Sequence, residues 1–139
     1  MNTYTIRELS EMFHLPASTL RYYEDAGILT NVGRTAGNQR IYYDMHINRL
    51  RSLCCFKRTG MSISQLQQLY RYEENETQYI DNIVELLDNH KEQVIAQIRD
   101  LEKDLEHVKR KLAYYTDIQS SLETGIPLPE WENYKHRTF

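Results

Sequence analysis

From Ile80 to Leu122 the chain repeats apolar residues at alternating spacings of four and three: Ile80, Val84, Leu87, Val94, Ile98, Leu101, Leu105, Val108, Leu112, Tyr115 and Leu122, with Lys91 and Gln119 as the polar breaks. Glu, Asp, Lys and Arg fill the intervals, and neither Pro nor Gly interrupts. A 3-4 repeat sustained this long predicts a coiled-coil seam, narrower than the stripe of a helix packed on a globular core. At about 1.5 Å per residue the helix would run roughly 64 Å. The remainder of the chain is too small to cover that seam, so its simplest partner is a second copy, joined through Val84, Leu87, Val94, Ile98, Leu101, Leu105, Val108 and Leu112. A long intramolecular hairpin is the competing solution, but no second stretch of comparable length exists.

Before that stretch the pattern changes to short elements. Thr5-Ile6-Arg7-Glu8 is a capping box, followed by Ile6, Leu9 and Phe13 on one helical face. His14-Leu15 reads as a turn, with Pro16 at the first position of a second helix that ends near Ala26-Gly27. Two short helices across a tight turn form a helix-turn-helix, whose second helix enters the major groove of DNA. Ser18, Thr19, Arg21 and Tyr22 on that helix offer donors suited to phosphates and base edges. Residues 28–43 read as a β-hairpin with turns at Gly33 and Gly37-Asn38, a wing carrying Arg34, Arg40, Tyr42 and Tyr43. The competing reading of the wing is a surface loop with solvated arginines. Asp44 is positioned to cap a third helix reaching Arg58, with Leu50, Leu53 and Phe56 inward. Ser62-Ile63-Ser64-Gln65 is a second capping box, opening a fourth helix with Ile63, Leu66, Leu69 and Tyr70 as its apolar side. Polar Glu73 to Gln78 separates this head from the long helix.

Charge sharpens the division. Residues 1–72 hold nine Arg and Lys against five Asp and Glu, whereas residues 73–139 hold eight against fifteen, within a net charge of −3. A basic head on an acidic stalk directs any polyanion to the head. No run of about 18 apolar residues appears, which predicts no membrane span. The first residues lack the basic and apolar regions of a secretory signal, and the two cysteines, Cys54 and Cys55, are adjacent, so a reducing, cytoplasmic setting is expected.

Tyr4-Thr5-Ile6-Arg7-Glu8-Leu9, Thr19-Leu20-Arg21-Tyr22-Tyr23-Glu24, Gly27-Ile28-Leu29, Arg40-Ile41-Tyr42 and Gly60-Met61-Ser62 stand in order over residues 4–72. This set resembles the MerR family of bacterial transcription regulators. The resemblance implies a mainly α fold: a winged helix-turn-helix head (residues 1–75), a dimerisation helix forming an antiparallel coiled coil (76–123) and a short tail (124–139). It implies a homodimer on an inverted repeat in double-stranded promoter DNA, which distorts the promoter spacer so that RNA polymerase meets both of its elements. Carried onto this chain, Ser18, Thr19, Arg21 and Tyr22 would meet the groove and backbone. Arg34, Arg40 and Tyr42 would contact DNA from the wing, and Lys57 and Arg58 would touch flanking phosphates. Tyr23 and Tyr43 read instead as core.

The signal is less legible. About seventeen residues follow Leu122, too few for a ligand pocket of the usual few hundred Å³. That tail lacks cysteine, and His90, His107 and His136 have no metal-ligand spacing, so no metal or cofactor is expected. Cys54 reads as core flank. Cys55 has Arg51 and Arg58 at i−4 and i+3, and nearby cations favour the reactive thiolate. The Cys55-to-Met61 stretch resembles an aldehyde- and electrophile-sensing branch of the same family, with Cys55 at the sensor position; a bystander thiol is the alternative. No acid–base pair, nucleophile with its base or phosphate-cradling glycine loop is visible, so an enzyme is not expected. A coiled-coil adaptor or architectural protein without inducible regulation, and a metal-responsive regulator, remain as other readings.

Overall fold

A computed structural model describes residues 2–138. The order is β1 (Thr3–Tyr4), α1 (Ile6–Phe13), α2 (Ala17–Asp25), β2 (Gly33–Arg34), β3 (Arg40–Tyr43), α3 (Asp44–Arg58), α4 (Ile63–Glu73) and α5 (Ile80–Thr124), followed by a 3-10 turn at Trp131–Asn133. The architecture is a winged helix-turn-helix followed by one long helix, mainly α as expected. Among the described residues no helix is long and apolar enough to cross a membrane.

The helix starts follow local chemistry. The Thr5 hydroxyl accepts from the Glu8 amide while the Glu8 carboxylate accepts from the Thr5 amide, each at 3.1 Å, and Ser62 and Gln65 repeat this exchange at the start of α4. Two expected starts differ by one position. Pro16 is the cap of α2 and Ala17 its first residue. At α3 the capping residue is Tyr43, because the His46 ring supplies the acceptor for its amide. Asp44 instead accepts from the Tyr4 hydroxyl at 2.9 Å. His14 takes a left-handed conformation between α1 and α2, with φ 53°.

The wing sheet has the order β1-β3-β2, antiparallel throughout. Strand β1, two residues long, went unread in the sequence; it pairs Thr3 with Tyr43 and Tyr4 with Tyr42. Strand β2 pairs Gly33 with Ile41 and Arg34 with Arg40. A Cβ on Gly33 would collide with the Tyr43 hydroxyl oxygen, so the absent side chain admits the tyrosine.

The chain divides into two compact units, Met1–His90 and Lys91–Phe139. The first has one core, in which Leu9, Leu20, Ile28, Leu50, Leu53, Leu66 and Leu69 are fully buried. Ile83 and Leu86 of α5 pack against it, so this unit extends beyond residue 75 into the first turns of the long helix. In the second unit the tail folds back on its own helix. Trp131 and Tyr134 meet the Tyr114 ring at 5.5 and 5.3 Å, Tyr134 donates to Asp117, and Arg110 donates to the Arg137 carbonyl at 2.6 Å.

Candidate nucleic-acid interface

Helix α2 is held from behind. Leu20 and Tyr23 are buried, while Ser18, Arg21 and Tyr22 project on the exposed side and Thr19 is half-buried. Gly27, with φ +76°, ends the helix, and the Ile28 amide returns to the Tyr23 carbonyl at 2.9 Å. The Gln67 amide donates to the Ala26 carbonyl at 2.9 Å, and Arg49 donates to the Ile28 carbonyl at 3.0 Å while its guanidinium lies 4.0 Å from the centre of the Tyr70 ring. Burial pushes the Tyr70 phenol up to about 12. These bonds fasten the end of α2 to α3 and α4, so the exposed face of α2 sits on a rigid support.

The wing is fastened just as locally. His46 is fully buried: its Nδ1 accepts from the Tyr43 amide at 2.9 Å, so Nε2 carries the proton and donates to the Thr30 carbonyl at 2.7 Å. Arg34 and Arg40 both pair with Glu24 of α2, at 3.3 and 2.5 Å. That hydrogen bond raises the Arg40 pKa above its ordinary value. Arg40 and Tyr42 share a strand face. That face turns toward α2, and Tyr42 is fully buried with its hydroxyl unpaired among the described residues. Its side chain is therefore part of the core, which corrects the expectation that Tyr42 would contact DNA. Tyr23 is buried and Tyr43 half-buried.

A concave surface of about 680 Å³ opens between β1, the start of α1, α2 and the wing, lined by Arg7, Arg21 and Arg40 with Thr3, Thr5, Thr35, Asn38 and Gln39 among its walls. Arg21 and Arg40 are thus brought together, whereas Lys57 and Arg58 lie exposed on the last turn of α3. Cys55 is exposed and Cys54 half-buried. Burial pushes the Cys54 thiol up, against the opposing pull of Arg58. Among the described residues no group of three or more His, Cys, Asp or Glu could hold a metal ion. Glu24 and His46 were missed in the sequence. The demand for Glu24 appears only once the hairpin register sets two arginines opposite each other, and nothing local marks His46.

A rigid helix-turn-helix with a cationic wing on the same side defines a DNA-binding head. Residues 4–73 match the model of the MerR HTH family regulatory proteins. The chain is 33% identical over 113 residues to an uncharacterized HTH-type transcriptional regulator of Haemophilus influenzae, covering 81% of this chain and 84% of that protein. It is 25% identical over 132 residues to the HTH-type transcriptional regulator ZntR of Escherichia coli K12, covering 88% and 94%. Its fold superposes with a TM-score of 0.76 on HiNmlR, a MerR family regulator lacking the sensor domain, bound to promoter DNA, at 31% identity over 90% of this chain and 97% of that one. The chain belongs to the MerR family of DNA-binding transcription regulators.

Proposed function

We propose that the protein acts as a homodimer, joined through α5, whose two heads read an inverted repeat within a promoter and distort the spacer so that RNA polymerase can use it. The observation that carries this reading is the state of the α5 seam. Leu101, Leu105, Val108, Leu112 and Leu122 stand between 50% and 71% exposed beside a head whose core is complete. A second α5 running antiparallel would cover them. Val84, Leu87, Val94 and Ile98 continue the same line. The domain assignment follows: a reading head over residues 1–75, a dimerisation helix over 76–123 and a tail over 124–139. The similarity to HiNmlR bound to promoter DNA supports duplex DNA as the ligand.

In the head, Ser18, Thr19, Arg21 and Tyr22 take the groove and adjoining backbone. Arg34 and Arg40 take the flanking backbone, and Lys57 and Arg58 a more distant phosphate. The direct test is binding to an operator selected from a random duplex pool, followed across a salt series. Counterion release makes the affinity fall steeply with salt; a flat response would remove DNA as the ligand.

For the signal we propose Cys55 as an electrophile-reactive thiol. It is exposed, whereas burial disfavours the Cys54 thiolate. Alkylation there would add bulk on α3, close to the phosphate contacts assigned to Lys57 and Arg58. Cys55→Ser should keep dimer and operator affinity but lose the transcriptional response of purified polymerase to a thiol-reactive aldehyde, while Cys54→Ser retains it. An unchanged response from Cys55→Ser would end the sensor assignment without touching the DNA-binding one.

A further inference from the structure

Arg34 and Arg40 face each other across β2 and β3. Like charges directly opposite on paired strands repel, and an anion between them relieves that repulsion. Glu24 supplies it from the last turn of α2, giving one oxygen to each arginine: Oε1 lies 3.3 Å from Arg34 Nη2 and Oε2 lies 2.5 Å from Arg40 Nε. The Glu24 and Arg40 side chains are each 21% exposed and Arg34 is 40% exposed, so Arg34 is both the longer and the wetter of the two pairs. Glu24 also follows Arg21 by three residues on α2, and Arg21 shares the concave surface with Arg40. A carboxylate so near a polyanion's docking surface opposes binding, since it offsets cations that would otherwise displace counterions from phosphates. A neutral residue could fill the space without that cost.

The geometry points to Glu24 as a specificity-determining positioning residue: it withholds the wing arginines from the phosphates of arbitrary duplex and yields them to the backbone, Arg34 first, only when α2 is seated in its operator. On non-cognate DNA the wing charge stays satisfied within the protein. On the operator, Arg21 fixes α2 in the groove and brings a phosphate to the outer pair, where exchange of one anion for another costs little. Discrimination then comes from lowering non-specific affinity as well as from base contacts.

This inference rests on the DNA-binding reading. A wild-type protein without salt-dependent duplex binding would sink that reading, whereas the inference is decided by differences among variants that do bind. The experiment is fluorescence anisotropy of the full chain on operator and scrambled duplexes, from roughly 50 to 200 mM salt. Glu24→Gln should tighten binding to the scrambled duplex about tenfold and steepen its log–log salt slope by about 2 per head, at about 0.9 per added phosphate contact. Glu24→Asp, which keeps the charge, should retain a slope near that of the wild type. Arg34→Gln should flatten the operator slope by about 1 per head and leave the scrambled slope unchanged. Equal weakening of both duplexes by Glu24→Gln at unchanged slope would make Glu24 a structural strut and overturn the inference. Should Glu24→Gln fail to fold by circular dichroism, Arg34→Gln decides: an equal slope change on both duplexes overturns it.

Discussion

The head and the long helix use the same apolar residue types to opposite ends. In the head, Leu9, Leu20, Leu50, Leu53, Leu66 and Leu69 are fully buried within one chain. In α5, Leu101, Leu112 and Leu122 stand about two-thirds exposed. Burying a leucine is worth on the order of 2 kcal/mol, so a line of exposed ones along a 45-residue helix is a face that favours a partner. The tail sharpens the contrast. Trp131 and Tyr134 cover the side of α5 that carries Tyr114 and leave the Leu101–Leu105–Leu112 line open. The chain thus covers one face of its own helix and leaves the more apolar one bare.

The largest effect should come from charging that face. Leu101→Asp with Leu105→Asp should abolish the dimer in sedimentation and weaken operator binding at least about 100-fold, because each head would then bind without its tethered neighbour. The head should keep its melting behaviour, since neither residue belongs to its core. The converse substitution is Leu50→Ala, which removes a fully buried side chain and should destabilise the head by about 2–5 kcal/mol in denaturant titration. Within the head, Arg21→Ala should cost about 1–3 kcal/mol and relax sequence preference in a mismatch panel. Lys57→Ala should weaken all sequences alike and flatten the salt slope by about 1. Indistinguishable sequence profiles for these two variants would erase the division between groove and backbone roles.

The smallest effect concerns Glu73, on the last turn of α4. Burial raises its pKa, with Arg49, 3.8 Å away, pulling the other way. An acid whose folded pKa lies above its unfolded value favours folding when protonated, so its charge opposes stability above the folded pKa and that cost fades as pH falls through it. Glu73→Gln should therefore raise the melting temperature slightly at pH 7 and leave it unchanged near pH 4. A lower melting temperature at pH 7 would mean that the Arg49 pair outweighs desolvation.

What the sequence revealed was what short-range physics fixes. The Thr5–Glu8 and Ser62–Gln65 boxes are closed within four residues, and the α5 period repeats often enough to mark one long helix. What it hid depends on distant partners. Asp44 is the first residue of α3 and not its cap: its carboxylate is taken by the Tyr4 hydroxyl, while the His46 ring, held on its far side by the Thr30 carbonyl, accepts from the Tyr43 amide. Tyr42 reads as a wing residue until β1 pairs alongside it and the shared face of β3 turns toward α2. The wing arginines read as free cations until the strand register brings both to Glu24. In the tail, Trp131 and Tyr134 are three residues apart, a weak signal until Tyr114 lies beneath both.

The direct measurement is sedimentation equilibrium of the full chain, without DNA, from high nanomolar to tens of micromolar concentration. Coverage of the α5 seam by a second copy requires a single species of twice the 16.7 kDa chain mass throughout the micromolar range, and the Leu101→Asp, Leu105→Asp variant at 16.7 kDa. A wild-type chain that remains at 16.7 kDa in the micromolar range would contradict it.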